Sequence, residues 1–258
     1  MSLADHLREF RRRLLVAAAA LVAASVAGWF LFDPVYEHLT APLVAVASDR
    51  GTDGDLIALN YAGLTAAFSQ RLSLAIWLGV IMSAPVWIWQ AWAFVVPGLT
   101  TKEKRVSRAF MAATVPLFLA GCWFGYTALP KAVQILLAFT PTGAANLPEA
   151  SLYFSFVTRF ILVFGAAFLL PVVLVALNVL HVLPARVMLR GWRVALIVIF
   201  VFAAVATPTP DPYTMFLLAT PLAALYFASC GVAWLIDRRR AAGRPEWVGV
   251  ADDEASAL

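Results

Sequence analysis

The sequence predicts an all-α integral membrane protein of six transmembrane helices, and three observations carry that prediction. Hydrophobic residues make up 62% of the 258 and charged residues only 13%, about half the roughly 25% of a soluble protein. The apolar residues come in long blocks, each close to the ~20 that take a helix across a bilayer. The interruptions collect Pro, Gly, Asn and charge, which read as loops.

In chain order, residues 1–13 form an amphipathic start, with Asp5 placed to cap a helix and Leu7, Phe10 and Leu14 at spacings of three and four. Helix 1 follows over about Leu14–Phe32. Residues 33–67 are mixed. They hold Asp33-Pro34, Ala41-Pro42 and a Ser48–Asp55 loop, flanked by short interfacial helices near Val35–Val46 and Leu56–Phe68. Helix 2 covers about Ser69–Val96 with Pro85 inside it, and a loop rich in Pro, Gly and charge leads to helix 3, about Ala109–Leu129 with Pro116. Thr140–Leu152 is a second polar loop. Helix 4, about Tyr153–Val182 with Pro171, precedes a loop carrying Arg186, Arg190 and Arg193. Helix 5, about Trp192–Ala206, is short. Pro208, Pro210 and Pro212 then force a turn before helix 6, about Tyr213–Ile236 with Pro221. The expected division is one membrane domain, 1–236, and a charged, disordered tail, 237–258.

Fifteen of the 19 Lys and Arg lie in the N-terminus, the 97–108 loop, the 183–193 loop and the tail. The positive-inside rule then places both termini in the cytoplasm, which six spans satisfy. Prolines within helices 2, 3, 4 and 6 predict bends and a concave, cupped bundle. A helix 5 well below a full span predicts a short helix 5–6 hairpin and a locally thinned bilayer. The formal charge of +4 is dispersed over several loops and does not point to nucleic acid. Cys122 and Cys230 have no metal or redox spacing. The first apolar run is too long for a cleaved signal peptide and lacks a convincing cleavage site.

Catalytic motifs are missing: neither a nucleotide-binding loop nor a zinc or serine-hydrolase pattern occurs. His6, His38 and His181 fall near span ends, far apart. Arg159, two turns into helix 4, is placed to snorkel to the interface. The informative residues are acids set among cations. Glu9 lies among Arg8, Arg11, Arg12 and Arg13, and Glu103 among Lys102, Lys104, Arg105 and Arg108. Each is open to two readings. One is a local pair such as Glu9 with Arg13, worth ~0.3–0.5 kcal/mol. The other is a bidentate site for a guanidinium from elsewhere. Asp211, in the helix 5–6 turn, reads first as a cap of helix 6.

The motif series resembles the TatC family, the multi-spanning receptor of the twin-arginine protein translocase. It begins with His6-Leu7-x-Glu9-Phe10-Arg11-x-Arg13-Leu14 and Ser83-Ala84-Pro85. It continues through Gln90-Ala-Trp92-Ala93-Phe94-Val-x-Pro97-Gly98-Leu99, Glu103-Lys104-Arg105 and Phe118, Gly121 and Phe124-x-Tyr126. Tyr153-x-Ser155-Phe156, Phe164-Gly165-x-x-Phe168, Pro171, Thr207-Pro208-x-Pro210-Asp211 and Pro221-x-x-x-Leu225-Tyr226 complete it. The likeness runs in order from residue 1 to about 236.

The resemblance implies a receptor for signal peptides bearing paired arginines on folded cargo, with no enzymatic activity and no cofactor. It implies that Glu9 and Glu103 bind the arginine pair, with Arg11, Arg13, Gln90, Phe94 and Pro97 on the same surface and Asp211 in the outer turn. TatA- and TatB-like single-span subunits would dock on helices 5 and 6, with self-association in the plasma membrane. Departures are Leu170, where the family usually has a polar residue before the helix 4 proline, and Phe227, where it commonly has an acid; Met215 is a weaker one. A competing class, a small-solute or ion transporter, would call for a polar site near the midplane, and intramembrane charges are almost absent.

Overall fold

The computed structural model describes residues 3–49, 59–95, 101–139, 148–206 and 212–242, with the side chains at 3, 46–49, 95, 101–109, 206 and 241 outside that description. Its elements are helices: α1 (Leu3–Phe30), α2 (Phe32–Asp49), α3 (Ala66–Met82), α4 (Ala84–Val95), α5 (Thr101–Ala138), α6 (Ala150–Ala167), α7 (Leu170–Val179), α8 (Ala185–Arg190), α9 (Trp192–Ala206) and α10 (Pro212–Ala242).

The amphipathic start and the first apolar run are one helix. No Pro or Gly separates them, so α1 runs unbroken from Leu3, and Asp5 sits in its first turn instead of at its cap. There the carboxylate still complements the positive end of the helix dipole. α2 is longer than the interfacial segment expected. Pro34 lies in its first turn, where no backbone donor is needed, and Leu39 and Leu43 are buried. The Tyr153 hydroxyl donates to the Leu39 carbonyl at 2.6 Å and fixes α2 across the end of α6. The second flanking helix expected over Leu56–Phe68 is not formed at residues 59–65. Asn60 instead exchanges backbone bonds with the stretch before α6, donating to Pro148 and accepting from Ala150.

Prolines set the bends. α3 and α4 form one apolar span broken by 56° at Ser83. Pro85 has no N–H to give the Ile81 carbonyl, and the indole N–H of Trp87 reaches back to the Val80 carbonyl at 3.0 Å. A tertiary contact thus satisfies an acceptor at the bend. Pro171 acts likewise between α6 and α7, where the Ala167 carbonyl has no N–H four residues on and the helix breaks at Phe168–Leu169.

Helix lengths depart from the apolar blocks. α5 has 38 residues, ~57 Å at 1.5 Å per residue, more than a bilayer with its headgroups. Lys, Glu and Arg are good helix formers, so the charged stretch continues the helix instead of forming a loop. α9 has 15 residues, ~22 Å, short of the ~30 Å hydrocarbon core. The spans α1, α5, α6–α7 and α10 are long and apolar enough to cross, the bent α3–α4 pair passes the same test as one broken span, and α9 is the shorter apolar helix.

Small residues let the helices close. A Cβ on Gly121 would lie 2.5 Å from the Phe164 carbonyl, and one on Gly165 would lie 2.6 Å from Cys122 Sγ. The α5 and α6 backbones therefore touch, as glycine allows in membrane bundles. Phe154, Phe164, Leu129 and Leu222 form part of the fully buried centre.

The boundary expected at residue 236 is crossed by α10, which continues to Ala242. Its last turns are held by polar bonds. Asp237 accepts from Asn178 Nδ2 at 3.1 Å and from the Ala185 N–H at 2.9 Å. Arg240 donates to the carbonyls of Asn178 and Val179 at 3.2 and 3.0 Å. An acid thus meets the N-terminus of α8 and a cation the C-terminus of α7, each complementing the local dipole. α7 ends with His181 in the left-handed region, φ 62°. Short α8, expected only as a loop, is pinned to α10 again by the Tyr226 hydroxyl on the Met188 carbonyl at 2.6 Å.

Candidate functional site

The N-terminal turns of α1 and the last turns of α4 meet, and this junction holds most of the predicted binding residues whose side chains are described. His6, Glu9, Phe10 and Arg13 follow i, i+3, i+4, i+7 spacing and so share one face of α1. That face meets Gln90 and Phe94, four residues apart on α4. The Phe94 ring stacks on the His6 imidazole at 4.5 Å between centroids and meets the Phe10 ring edge-on at 5.4 Å. Beside this aromatic contact, Arg13 donates to Glu9 Oε1 from Nη2 at 2.6 Å and from Nε at 3.1 Å. Its other terminal nitrogen, Nη1, faces Gln90 Oε1 at 3.4 Å. Glu9 and Arg13 keep about a quarter of their side-chain surface exposed, so the pair is half-desolvated and still reachable.

The local pairing of Glu9 with Arg13 is therefore made. The carboxylate lies at a cationic surface, with Arg8, Arg11 and Arg12 exposed on the other faces of α1. Arg11 is not brought into the cluster. Glu103 falls in the first turn of α5, with its side chain outside the described residues; Pro97 and Asp211 lie outside them altogether. His6, which the sequence places near a span end and at the head of the motif series, joins this junction although it is not among the binding residues that the resemblance implies. The signal was present in its spacing to Glu9, Phe10 and Arg13, which marks a shared face only once Phe94 is known to lie opposite.

A second concavity lies farther into the bundle. A groove of about 770 Å³ is walled by Val35 and His38 of α2, Leu74 and Trp77 of α3, Cys122 and Trp123 of α5 and Thr158 of α6. Its lining is almost wholly apolar. Among the described residues no group of three His, Cys, Asp or Glu could hold a metal ion. Leu170 packs against the core and Phe227 is half-exposed, so both departures stand as ordinary apolar residues. Arg159 is exposed on the flank of α6, where its stem can carry the charge towards an interface.

Bent apolar helices around a groove with apolar walls, with an ion pair where α1 meets α4, define a multi-helix integral membrane protein. The family model for TatC, described as Sec-independent protein translocase protein, matches residues 5–221, and the chain belongs to that family. The Sec-independent protein translocase protein TatC of Xylanimonas cellulosilytica is 46% identical, over 93% of this chain and 86% of that protein. The protein of the same name from Deinococcus radiodurans is 36% identical, over 86% and 82%. A crystal structure of the twin-arginine translocase receptor TatC superposes with a TM-score of 0.77 at 29% identity, covering 90% of this chain and all of that one. The chain is thus a membrane component of a protein translocase.

Proposed function

We propose that this chain is the signal-peptide receptor and core subunit of a twin-arginine translocase, binding paired arginines and passing folded proteins across the membrane. The single observation that carries the site is the half-buried Glu9–Arg13–Gln90 cluster, backed by the Phe94 contact with His6 and Phe10. It offers a carboxylate already held in guanidinium-binding geometry, on a rigid junction of two helices. Glu103 follows Val95 by only eight residues and supplies the second carboxylate from the start of α5. Pro97 and Arg11 belong to the same proposed binding surface, and Asp211 is assigned to the outer turn between helices 5 and 6.

The topology that suits this role has six crossings in the plasma membrane, with α9 as the short fifth and both termini in the cytoplasm. Residues 1–236 supply the membrane-embedded part, α10 carries on through its docked last turns to Ala242, and the chain beyond it is the cytoplasmic tail. TatA- and TatB-like single-span subunits dock on α9 and α10, and the chain self-associates. The role needs no catalytic centre and no cofactor. Solute transport is less well supported, because the groove offers almost wholly apolar walls where a transported solute needs polar partners.

The test is export of a folded fluorescent reporter carrying a twin-arginine signal in a strain whose own receptor is deleted, supplied with this chain and its matching single-span partners. Wild type should restore export, and Glu9→Gln with Glu103→Gln should reduce it at least tenfold at equal membrane abundance. Undiminished export by the double variant would refute the site. Solute uptake by the chain alone in liposomes would favour the transporter reading.

A further inference from the structure

On the reading of Glu9 as an arginine-binding acid, we propose that Arg13 is an internal stand-in for the incoming guanidinium and that cargo binds by displacing it. The geometry is specific. Arg13 presents its Nε and Nη2 edge to Glu9, both bonds converging on Oε1 at 3.1 and 2.6 Å. That edge is the one a free arginine turns to a carboxylate in a side-on pair. Gln90, from a different helix, faces the far nitrogen at 3.4 Å and limits the arcs the side chain can sweep. The pair retains only 23% and 25% of its side-chain exposure. Arg8, Arg11 and Arg12 are equally cationic and lie exposed, away from the carboxylate. Arg13 alone among these four is held on Glu9.

Two consequences follow from simple exchange. First, a guanidinium arriving at Glu9 trades one charge-assisted fork for another, so Arg13 sets a threshold that an incoming ligand must pass. Second, the threshold is common to every ligand. Displacing Arg13 costs the same whatever arrives, so it lowers the affinities of arginine and lysine peptides by one factor. The preference for arginine comes from Glu9 itself, because a lysine ammonium cannot present a guanidinium's two-nitrogen edge. Arg13 thus sets the affinity of the site, acting through Glu9.

The experiment uses the full chain in lipid nanodiscs and two fluorescent signal peptides, one with paired arginines and its paired-lysine counterpart, titrated by anisotropy. Arg13→Gln should tighten binding of the arginine peptide about two- to fivefold, the range an ion pair of this exposure supports. It should tighten the lysine peptide by the same factor, and the gain should survive high salt. Arg12→Gln removes the same charge from an exposed position. It should give a smaller gain, equal for both peptides and lost at high salt. Arg13→Lys, which keeps the charge without the fork, should lie between wild type and Arg13→Gln.

Displacement is overturned if Arg13→Gln binds the arginine peptide no better than Arg12→Gln, or if its gain disappears at high salt. Should Arg13→Gln fold poorly, Arg13→Lys carries the same decision. Glu9→Gln separates the two levels. If it leaves arginine-peptide binding intact, the arginine-binding reading itself fails. If it weakens binding while Arg13→Gln and Arg13→Lys give no gain, the site stands and only the stand-in fails.

Discussion

Asp237 and Glu9 are both acids at helix ends among arginines, and their surroundings give them different roles. Asp237 is shared among Asn178, the Ala185 N–H and, at 3.9 Å, Arg240. Its oxygens are committed to holding α7, α8 and α10 together. Asp237→Ala would leave buried Asn178 with only the Leu183 carbonyl at 3.2 Å to accept from its amide, and the Ala185 N–H at the start of α8 without its side-chain acceptor. We expect it to cost about 2 kcal/mol, since bonds to a charged group are worth ~1.5–3 kcal/mol each and water would recover part. Thermal unfolding in detergent should show a clearly lower midpoint, with Asp237→Asn intermediate; an unchanged midpoint for the alanine variant would remove the clamp. Sequence pattern could not separate these acids. Glu9 belonged to a recognisable run at helical spacing, whereas the partners of Asp237 lie 52 and 59 residues away along the chain. Hydropathy falls at Asp237 whether the residue is docked or free.

The helices obey their local rules better than their boundaries suggest. Pro85 and Pro171 break the chain near where a missing N–H requires it, whereas α5 and α10 run through Pro116 and Pro221 as single helices, so the breaks are only partly readable from sequence. The size of the α3–α4 bend is not, because it depends on Trp87 finding the Val80 carbonyl and packing edge-on against Phe118 at 5.4 Å. The start of α5 was misread for another reason: charge ends an apolar block without ending a helix. The glycines decide packing. Gly121→Ala places a methyl against the Phe164 carbonyl and should lower the unfolding midpoint by separating α5 from α6. At Gly231 a Cβ meets nothing within 4 Å, so Gly231→Ala should be neutral or slightly stabilising through helix propensity. Equal behaviour of the two variants would contradict the close α5–α6 contact.

At the scale of the whole molecule, the chain separates an apolar groove from a charged helix junction. The groove between α2, α3, α5 and α6 carries apolar walls, while the α1–α4 junction carries the Glu9–Arg13 ion pair. The fold class was legible because it rests on long apolar runs, and the grouping of Glu9 with Arg13 because it rests on spacing within one helix. Their meeting with Gln90 and Phe94, across 77 residues from Arg13 to Gln90, was only what the resemblance implied. The groove and the docking of α2 across the bundle were not legible, since they arise from contacts such as Tyr153 with Leu39, 114 residues apart. The central claim is that paired arginines are read at the α1–α4 junction. Its most direct test is photo-crosslinking from a probe replacing exposed Arg12, compared with one replacing Trp123 at the groove. The account predicts that a twin-arginine signal peptide crosslinks at position 12, and that Glu9→Gln or a twin-lysine peptide abolishes the product. Equal crosslinking of both peptides at position 12, unaffected by Glu9→Gln, or capture only at position 123, would contradict it.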